Sequence, residues 1–369
     1  MSLEHDFRVI RAAARNDIQV ALTDRLFFFF GLIIPLNFLF VFILFALSGG
    51  LAPTAIVMND HGPLAQQFVE AMRNSHSFRI HMADATQAQR EIEAGDIVAV
   101  VTIPASFDAD LRAGRNVELP VLVNNLQTDF TNDIRRAVPL AITSFYASAF
   151  PDQVVVQAHE IDVQPQDTDY VPYLAVSIVV GAVLITGILQ GSIVAAREYE
   201  ANTIKELMLS PAPRWTLAAG KVIGTVILNA GAIVVVTGVV VLLVGARPVH
   251  PLELIGLALL TMAAAVSIGI LAGTLLKRRQ AAIPLAIGLT LPLFFVSGPF
   301  GPANWQGSVS GFLALLSPMF YAIEAFQHAF HGYQTAPPSL VTDVVVLTGF
   351  AVVSIFASAL VLSRTRVAH

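Results

Sequence analysis

Three side chains late in the sequence have the spacing of a metal-binding helix. Glu324, His328 and His331 stand at positions i, i+4 and i+7, so a helix would carry them on one face. Carboxylate and imidazole groups are zinc ligands, and three of them with an open fourth position form the sites of zinc hydrolases. The spacing also arises by chance, and such groups on a helix at a membrane surface reach water. We therefore predict no metal site here, and a membrane-embedded metal hydrolase stays as an alternative function.

A second polar group is a short charged segment, 195–215, with the sequence AAREYEANTIKELMLSPAPRW. Thr203 and Glu206 have the T-x-x-E spacing of a capping box, which predicts the start of a short helix, and Pro211 with Pro213 would end it. One face of this helix is apolar and contains Ile204, Leu207 and Met208. A helix that offers both charge and apolar surface predicts docking with another protein, and a well-capped turn is the simpler alternative.

Three amides and a pair of glycines stand inside otherwise apolar stretches. Asn37, Gln190 and Asn229 could line a path for a substrate, or they could bond neighbouring helices as buried amides commonly do. Both interpretations stay open for these three residues. Gly269 and Gly273 form a small-xxx-small pattern, which predicts close packing between two helices.

The composition identifies the environment of these groups. The chain has 369 residues, of which 55% are hydrophobic and only 13% charged, and it has no cysteine. Soluble domains are about 25% charged, so most of this chain must face something other than water. The lack of cysteine excludes disulfides and Cys-ligated zinc, and the lack of a basic patch argues against a nucleic-acid partner. Six stretches are long and apolar enough to cross a bilayer, namely 26–48, 171–196, 216–244, 254–276, 281–298 and 341–362.

The basic residues predict how these stretches are oriented. If the N-terminus is cytoplasmic, every Lys and Arg of the short loops falls on the cytoplasmic side except Arg247. Long domains cross a membrane regardless of their charge, so the segment 49–170 is left out of this rule. We therefore expect both termini in the cytoplasm and 49–170 outside.

Within 49–170, strand patterns alternate with helix patterns. Strands are predicted at 54–59, 78–82, 96–103 and 117–123, and helices at 63–75, 84–95 and 129–149. Asp84, with Gln87 three residues later, predicts an N-cap for the second of these helices. The predicted fold class is a mainly α-helical membrane protein, with six transmembrane helices and an extracytoplasmic α/β domain between the first and the second. The sheet of that domain is expected to be mixed or parallel.

Two further segments complete the predicted organisation. Segment 1–25 is predicted to form an amphipathic helix on the cytoplasmic membrane surface, with its arginines near anionic lipid. The alternative is an ordinary cytoplasmic helix that precedes the first span. Its apolar face is formed by Phe7, Ile10, Ala14, Ile18 and Leu22, with Arg8, Arg11 and Arg15 off that face. Five spans follow in a transmembrane domain, 171–369. Within it, 297–333 is apolar but interrupted by glycine and proline, which predicts short helices in the outer leaflet rather than one crossing.

Residues 197–221, REYEANTIKELMLSPAPRWTLAAGK, resemble the coupling segment of the membrane subunits of ATP-binding-cassette (ABC) type-2 exporters. The family pattern, R-E-x-E-x-G-T, L-x-x-S/T-P and then Gly-Lys, is matched by Arg197, Glu198, Glu200, Thr203, Leu207, Ser210, Pro211, Gly220 and Lys221. Asn202 stands where the family usually has glycine, and asparagine also tolerates a left-handed backbone. WQGSVSGFLALLSPMFYAIEAF resembles a second family pattern, with Gln327 where an arginine often follows. The resemblance covers essentially the whole chain, including the subgroup's large extracytoplasmic insertion.

This resemblance implies a permease subunit of an ABC exporter in a bacterial inner membrane. It implies export of an amphipathic, drug-like or lipid-like compound, as in multidrug efflux, driven by ATP on a separate cytoplasmic ABC ATPase subunit. The chain itself would then be no enzyme and bind no cofactor, and a second permease subunit would complete a homodimer or heterodimer. The residues expected to couple to the ATPase are Arg197, Glu198, Glu200, Thr203, Ile204, Glu206, Leu207 and Met208.

Two short matches to nucleotide-binding motifs carry no such prediction. LSGG at 47–50 ends a predicted span, and Gly-Lys at 220–221 lacks the glycine-rich run of a P-loop. The spans have no charged residue away from their ends, which favours energy supplied from outside the membrane rather than by ions. The alternative from another class is an extracytoplasmic receptor or assembly protein that its spans anchor.

Overall fold

The computed structural model describes residues 3–48, 51–124, 128–153, 170–209, 211–301, 308–332 and 339–364. The chain forms two compact units, Met1–Ser48 with Gln164–His369 and Gly49–Val163. The described elements are, in chain order, α1 (Leu3–Thr23), α2 (Arg25–Ser48), β1 (Ala52–Met58), α3 (Pro63–Asn74), β2 (Phe78–Met82), α4 (Ala85–Ala94), β3 (Ala99–Ile103), α5 (Phe107–Arg112), β4 (Val121–Val123), α6 (Thr128–Ala149), α7 (Tyr170–Glu200), α8 (Ile204–Leu209), α9 (Arg214–Leu243), α10 (Pro251–Leu276), α11 (Ala282–Val296), α12 (Ser308–Leu315), α13 (Pro318–His331) and α14 (Leu340–Arg364).

Helix α7 is the centre of the helical unit. Its sequence is apolar on all sides, and every residue from Tyr173 to Ala196 is buried. Helices α2, α9, α10, α11 and α13 pack around it. The surrounding helices keep large apolar side chains on their outer surfaces, such as Val234 and Leu242 of α9. A helix that is apolar all round is buried by others, and an apolar outer surface on those others is typical of contact with lipid.

Five helices of this unit are long and apolar enough to cross a membrane: Tyr170–Glu200, Arg214–Leu243, Pro251–Leu276, Arg279–Val296 and Leu340–Ser363. They correspond to five of the six predicted spans. The other, 26–48, corresponds to the 24-residue helix α2, in which Gly31–Val41 is an apolar stretch among the described side chains. Counting the bent pair α12 and α13 as one span gives six. The described residues therefore support five or six spans, and the count of six stays a prediction.

Close packing of α7 against α10 confirms the prediction made from Gly269 and Gly273. A Cβ atom at Gly269 would collide with the carbonyl oxygen of Ile188, and one at Gly273 with that of Ser192. The two backbones therefore touch where side chains would otherwise hold them apart. In lipid, such van der Waals contact is a main source of helix association.

Within 297–333, the described residues form two short helices, and their placement in the outer leaflet stays a prediction. Helices α12 and α13 are bent by 86° at their junction. Ser317 caps α13, because its hydroxyl accepts a hydrogen bond from the Met319 amide at 3.2 Å. The Gln327 side chain donates to the carbonyl of Tyr173 at 2.9 Å and to the hydroxyl of Ser177 at 3.1 Å. A neutral amide thus fixes α13 to α7 where the family pattern often has an arginine.

The second unit is a four-stranded sheet with helices on both faces. The strand order is β2–β1–β3–β4, with β1 parallel to β2 and β3 and with β4 antiparallel to β3. One face packs against α3 and α6 through Phe68 and Phe145, and the other against α4 through Ile92. The predicted mixed sheet is confirmed. The Asp84 N-cap is confirmed as well, since its carboxylate accepts from the Gln87 amide at 2.8 Å.

Two aspartates hold the loop between β1 and α3. Asp60 accepts hydrogen bonds from the amides of Asp108 and Gly62, each at 2.8 Å. Asp108 in turn accepts from the amides of Leu64 and Ala65, in the first turn of α3, at 3.1 and 2.8 Å. The first amides of a helix have no partner within the helix and attract negative charge. The Asp108 carboxylate fills that position from a distant part of the chain.

We predict that this α/β unit loses stability in acid. Hydrogen bonds from the Asp108 and Gly62 amides hold the pKa of Asp60 below its usual 3.8, and bonds from Gln87 and His81 hold the pKa of Glu91 below its usual 4.5. A lowered folded pKa stabilises the fold above the unfolded pKa, and this stabilisation is lost as pH falls through the folded value. Stability should therefore begin to fall below about pH 4.5. Pulsed hydrogen exchange on peptides from 51–124, after incubation of the full chain at each pH, measures the transition.

Asp60→Asn is expected to lower stability at neutral pH and to make the fall in acid less steep, because the variant carries no charge to lose at this position. The matched control is Asp96→Asn, since Asp96 is exposed and its carboxylate makes no hydrogen bond within the described residues. Equal acid transitions for the two variants would show that the Asp60 hydrogen bonds do not set the pH dependence.

Candidate functional site

The last turn of α7 sends four consecutive side chains to different neighbours. Arg197, Glu198, Tyr199 and Glu200, which we name the REYE turn, follow one another on a helix, so each points about 100° from the one before. The turn lies where α1, α9 and the loop after α10 come together, and each direction meets another element. The charges of this segment therefore have partners within the fold.

Two of the four side chains enter a buried ion cluster. The Lys221 Nζ of α9 contacts the Glu198 carboxylate and lies 3.4 Å from a carboxylate oxygen of Asp17 in α1. The Arg197 guanidinium lies 3.6 Å from the same aspartate. The Asp17 side chain is only 2% exposed. Two carboxylates and two cations give the cluster balanced charges, which burial of ions requires.

The cluster forms because α1 lies directly on α9. A Cβ atom at Gly220 would collide with Ala13, and one at Gly224 would press on the backbone of Ala14. The two glycines are spaced G-x-x-x-G, which allows close approach of two helices. This approach brings Asp17 of α1 beside Lys221 of α9.

The face of α1 that packs on α9 shares only part of the predicted apolar face. Ala14 of that face is buried together with Asp17 and Ala21, whereas Phe7 and Leu22 are exposed, and their contact with the membrane stays a prediction. Contact with α9 requires small residues, so the larger apolar ones lie to the side. Asp17 was not predicted as a site residue, although a signal existed: it stands three residues after the small Ala14 and therefore on the same side of the helix.

The other two side chains of the REYE turn bind the loop after α10. Glu200 accepts hydrogen bonds from the Arg279 amide at 2.7 Å and from its Nε at 2.5 Å. Arg279 also lies 3.8 Å from Asp24, between α1 and α2. The Lys277 Nζ lies 5.4 Å from the ring centroid of Tyr199, within cation–π range. None of these three partners, Asp24, Lys277 and Arg279, was predicted as a site residue from the sequence.

Helix α8 follows the REYE turn and is mostly exposed. The chain turns at Asn202, whose φ of +58° confirms the predicted left-handed backbone. Thr203 and Glu206 are exposed, Ile204 and Leu207 are half-buried, and the side chain of Met208 lies outside the described residues. The Arg214 guanidinium at the start of α9 donates to the carbonyl of Leu207 at 3.0 Å. Helix α8 is therefore anchored at both ends and open between them.

The predicted coupling segment 197–215 thus consists of three pieces: the end of α7, the short α8 and the start of α9. The predicted capping box does not form among the described residues. The Glu206 amide donates to the Thr203 carbonyl at 3.1 Å, and the Thr203 hydroxyl donates to the Glu198 carbonyl at 3.5 Å. The predicted site residues divide accordingly. Arg197 and Glu198 lie in the buried ion cluster, and Glu200 bonds to Arg279. Thr203 and Glu206 are exposed, and Ile204 and Leu207 are half-buried.

Two of the three predicted path amides lie together. Gln190 of α7 and Asn229 of α9 both lie close to Gly31 of α2. Gln190 donates to the Phe27 carbonyl at 2.7 Å, and Asn229 donates within its own helix to Thr225 at 2.8 Å. Asn37, farther along α2, is exposed. Gln190 bonds a neighbouring helix, which is the second of the two interpretations given for these amides.

The three residues with metal-ligand spacing lie on α13 in different surroundings. Glu324 is buried, while His328 and His331 are partly exposed. The His328 ring stacks on that of His250 at 5.3 Å, and its Nε2 lies 3.4 Å from Glu253. Within the described part of the chain, no group of three or more His, Cys, Asp or Glu side chains has a geometry that holds a metal ion.

Comparison with known proteins identifies the family. The family model described as "ABC-2 family transporter protein" matches residues 25–360. The chain is also similar to the inner membrane transport permease YhhJ of Escherichia coli strain K12 and to the protein of the same name in Shigella flexneri. Identity to each is 24% over 306 residues, covering 80% of this chain and 82% of the relative. The matched range includes the REYE turn, α8 and Lys221. Because the family model covers most of the sequence, this chain belongs to the ABC-2 family of transporter proteins.

Proposed function

We propose that this chain is the permease subunit of an ATP-driven ABC exporter in a bacterial inner membrane. ATP is bound and hydrolysed by a separate cytoplasmic ABC ATPase, and two permease subunits, identical or homologous, form the pathway. Both termini and α8 lie in the cytoplasm, and the α/β unit lies outside. Family membership, the similarity to an inner membrane transport permease and the distribution of basic residues support this proposal.

The observation that carries the proposal is the contrast between α8 and the REYE turn. Lys205, Glu206 and Leu209 of α8 are exposed, and Leu209 is 85% exposed. The turn just before them is bonded to α1, α9 and the loop after α10. An exposed apolar side chain next to charged ones is suited to a protein partner. The bonded turn gives that surface a rigid base.

In the proposed cycle, the ATPase pair closes on ATP and displaces α8. Arg214 links α8 to α9, and the REYE turn links α8 to α7 and α1. Displacement of α8 is therefore transmitted to the spans. The spans then close the pathway to the cytoplasm and open it to the outside. A cavity of about 300 Å³ lies beside the turn and is lined by the charged Glu200 and Arg279 and by the apolar Phe27 and Ile193. A lining of both kinds suits a compound with polar and apolar parts, which is why we propose an amphipathic cargo.

The test is a double variant on α8, Glu206→Lys with Leu209→Asp. Both side chains are exposed, so the permease should fold normally and keep its elution volume. Loss of an interface anchor costs about 2 kcal/mol or more, which corresponds to at least about thirtyfold weaker binding. We expect the ABC ATPase found by mass spectrometry in pull-downs of the wild type to be lost from those of the variant. Export of an amphipathic dye should fall with it.

The control is Glu70→Lys, which reverses an exposed charge on α3 of the other unit. It should leave both the pull-down and the export unchanged. Glu200 is left unchanged in this test, because it bonds Arg279 and its replacement would disturb the fold as well as any contact with a partner. If an ATPase co-purifies equally with the α8 variant, α8 is not the coupling surface. If none co-purifies with the wild type, the alternative of an anchored receptor gains support.

A further inference from the structure

An open groove of about 420 Å³ lies between helices α1 and α9. Its apolar walls come from Phe7 and Ile18 of α1 and from Ile223 and Ile227 of α9. The helices touch through small residues, so these larger side chains flank the line of contact instead of filling it. Phe7, Ile223 and Ile227 are exposed. The groove is therefore an apolar surface that the helical unit leaves accessible.

Two arginines of α1 line the same groove. Arg11 and Arg15 are four residues apart and thus neighbours on the helix surface. Within the described ranges neither guanidinium forms an ion pair or a hydrogen bond, whereas Arg8 pairs with Glu4 at 3.3 Å. Two like charges at this spacing destabilise a helix unless an anion joins them. Guanidinium groups bind phosphate through paired, charge-assisted hydrogen bonds.

We propose that this groove is a binding site for an anionic phospholipid. The phosphate lies between Arg11 and Arg15, and an acyl chain lies along Ile18, Ile223 and Ile227. One molecule then satisfies both features: a free phosphate would leave the apolar walls in water, and a zwitterionic lipid would bring a cation towards two arginines. The lipid contacts α1 and α9 together and supports the helix pair that contains the Asp17 cluster. Binding depends on α1 and α9 and requires neither the ATPase nor the exported cargo.

The experiment is native mass spectrometry of the delipidated full chain titrated with dioleoyl phosphatidylglycerol. The wild type is expected to bind one lipid that survives activation. Arg11→Gln with Arg15→Gln should weaken this binding at least about tenfold, since two charge-assisted contacts are lost. The matched control is Arg8→Gln on the same helix, which should bind as the wild type does. Ile227→Ser, which removes part of the apolar wall, should weaken binding several-fold.

Four results would overturn the proposal. They are equal loss in Arg8→Gln and the double variant, equal binding of phosphatidylcholine by the wild type, displacement of the lipid by inorganic phosphate, and wild-type affinity in Ile227→Ser. If the double glutamine variant does not fold, Arg11→Lys with Arg15→Lys replaces it. This pair keeps the charge but loses the bidentate geometry, so several-fold weaker binding is expected, and wild-type affinity would again contradict the proposal.

Discussion

Replacing Lys221 with methionine is expected to lower the free energy of unfolding by about 3–5 kcal/mol, the usual cost of removing one partner from a buried ion pair. Methionine keeps much of the length of the lysine side chain. The change leaves the carboxylates of Asp17 and Glu198 with Arg197 as their nearby cation, and Asp17 is too buried to be stabilised by water. Denaturation of the purified full chain, followed by intrinsic fluorescence, measures the loss.

Lys205→Met is the matched control, because Lys205 is exposed on α8 and its replacement should change stability by less than about 0.5 kcal/mol. Adding Glu198→Gln to Lys221→Met removes the surplus negative charge. The double variant should therefore recover part of the loss, as coupled residues do in a double-mutant cycle. Equal stability of the two single methionine variants would mean that the buried cluster does not hold α1, α7 and α9 together.

Replacing Gly269 with leucine is expected to destabilise the helical unit by about 3 kcal/mol or more, at the upper end of overpacking effects. The added side chain would meet the backbone carbonyl of Ile188 in α7, which cannot rotate away as a side chain could. Helices α7 and α10 would then have to separate along their contact. We expect much less folded protein in membranes and a lower melting temperature for what remains.

The same helix provides the control for this prediction. Gly256 also lies in α10, is exposed, and has open space where a Cβ would stand. Gly256→Leu should leave stability unchanged or raise it slightly, because leucine forms helices more readily than glycine. If both leucine variants melt at the same temperature, contact between the α7 and α10 backbones is not what holds this unit together.

The sequence predicted the helices well where a single physical requirement determines them. The apolar run 216–244 corresponds to α9 within a few residues, since lipid contact needs a long uninterrupted apolar helix. Gly269 and Asn202 were interpreted correctly, because a small residue in a helix contact and a left-handed turn each leave a local sign. The predicted span 171–196 lies within α7, but the helix itself extends farther. Helix α7 continues through its charged end to Glu200 because those charges have partners elsewhere in the fold.

The candidate site was harder to predict because its contacts are distant in sequence. Asp17 and Lys221 are separated by 204 positions, and no local sequence pattern predicts that they form an ion pair. The segment around Arg197 was predicted as one surface for a partner. In the structure its first part turns inward and only α8 turns outward, because the helix rotates the charged residues toward different neighbours. A run of charged residues predicts that these side chains have binding partners. Only the folded structure shows whether those partners belong to the same chain or to another protein.

The REYE turn also limits which insertions α7 can accept. One residue added earlier in this helix would rotate its end by about 100° and shift it by about 1.5 Å. Arg197 would then take the place that Glu198 now holds, and a guanidinium would face the Lys221 ammonium. A single-codon insertion in the buried length of α7 would therefore bring like charges together at the end of the helix.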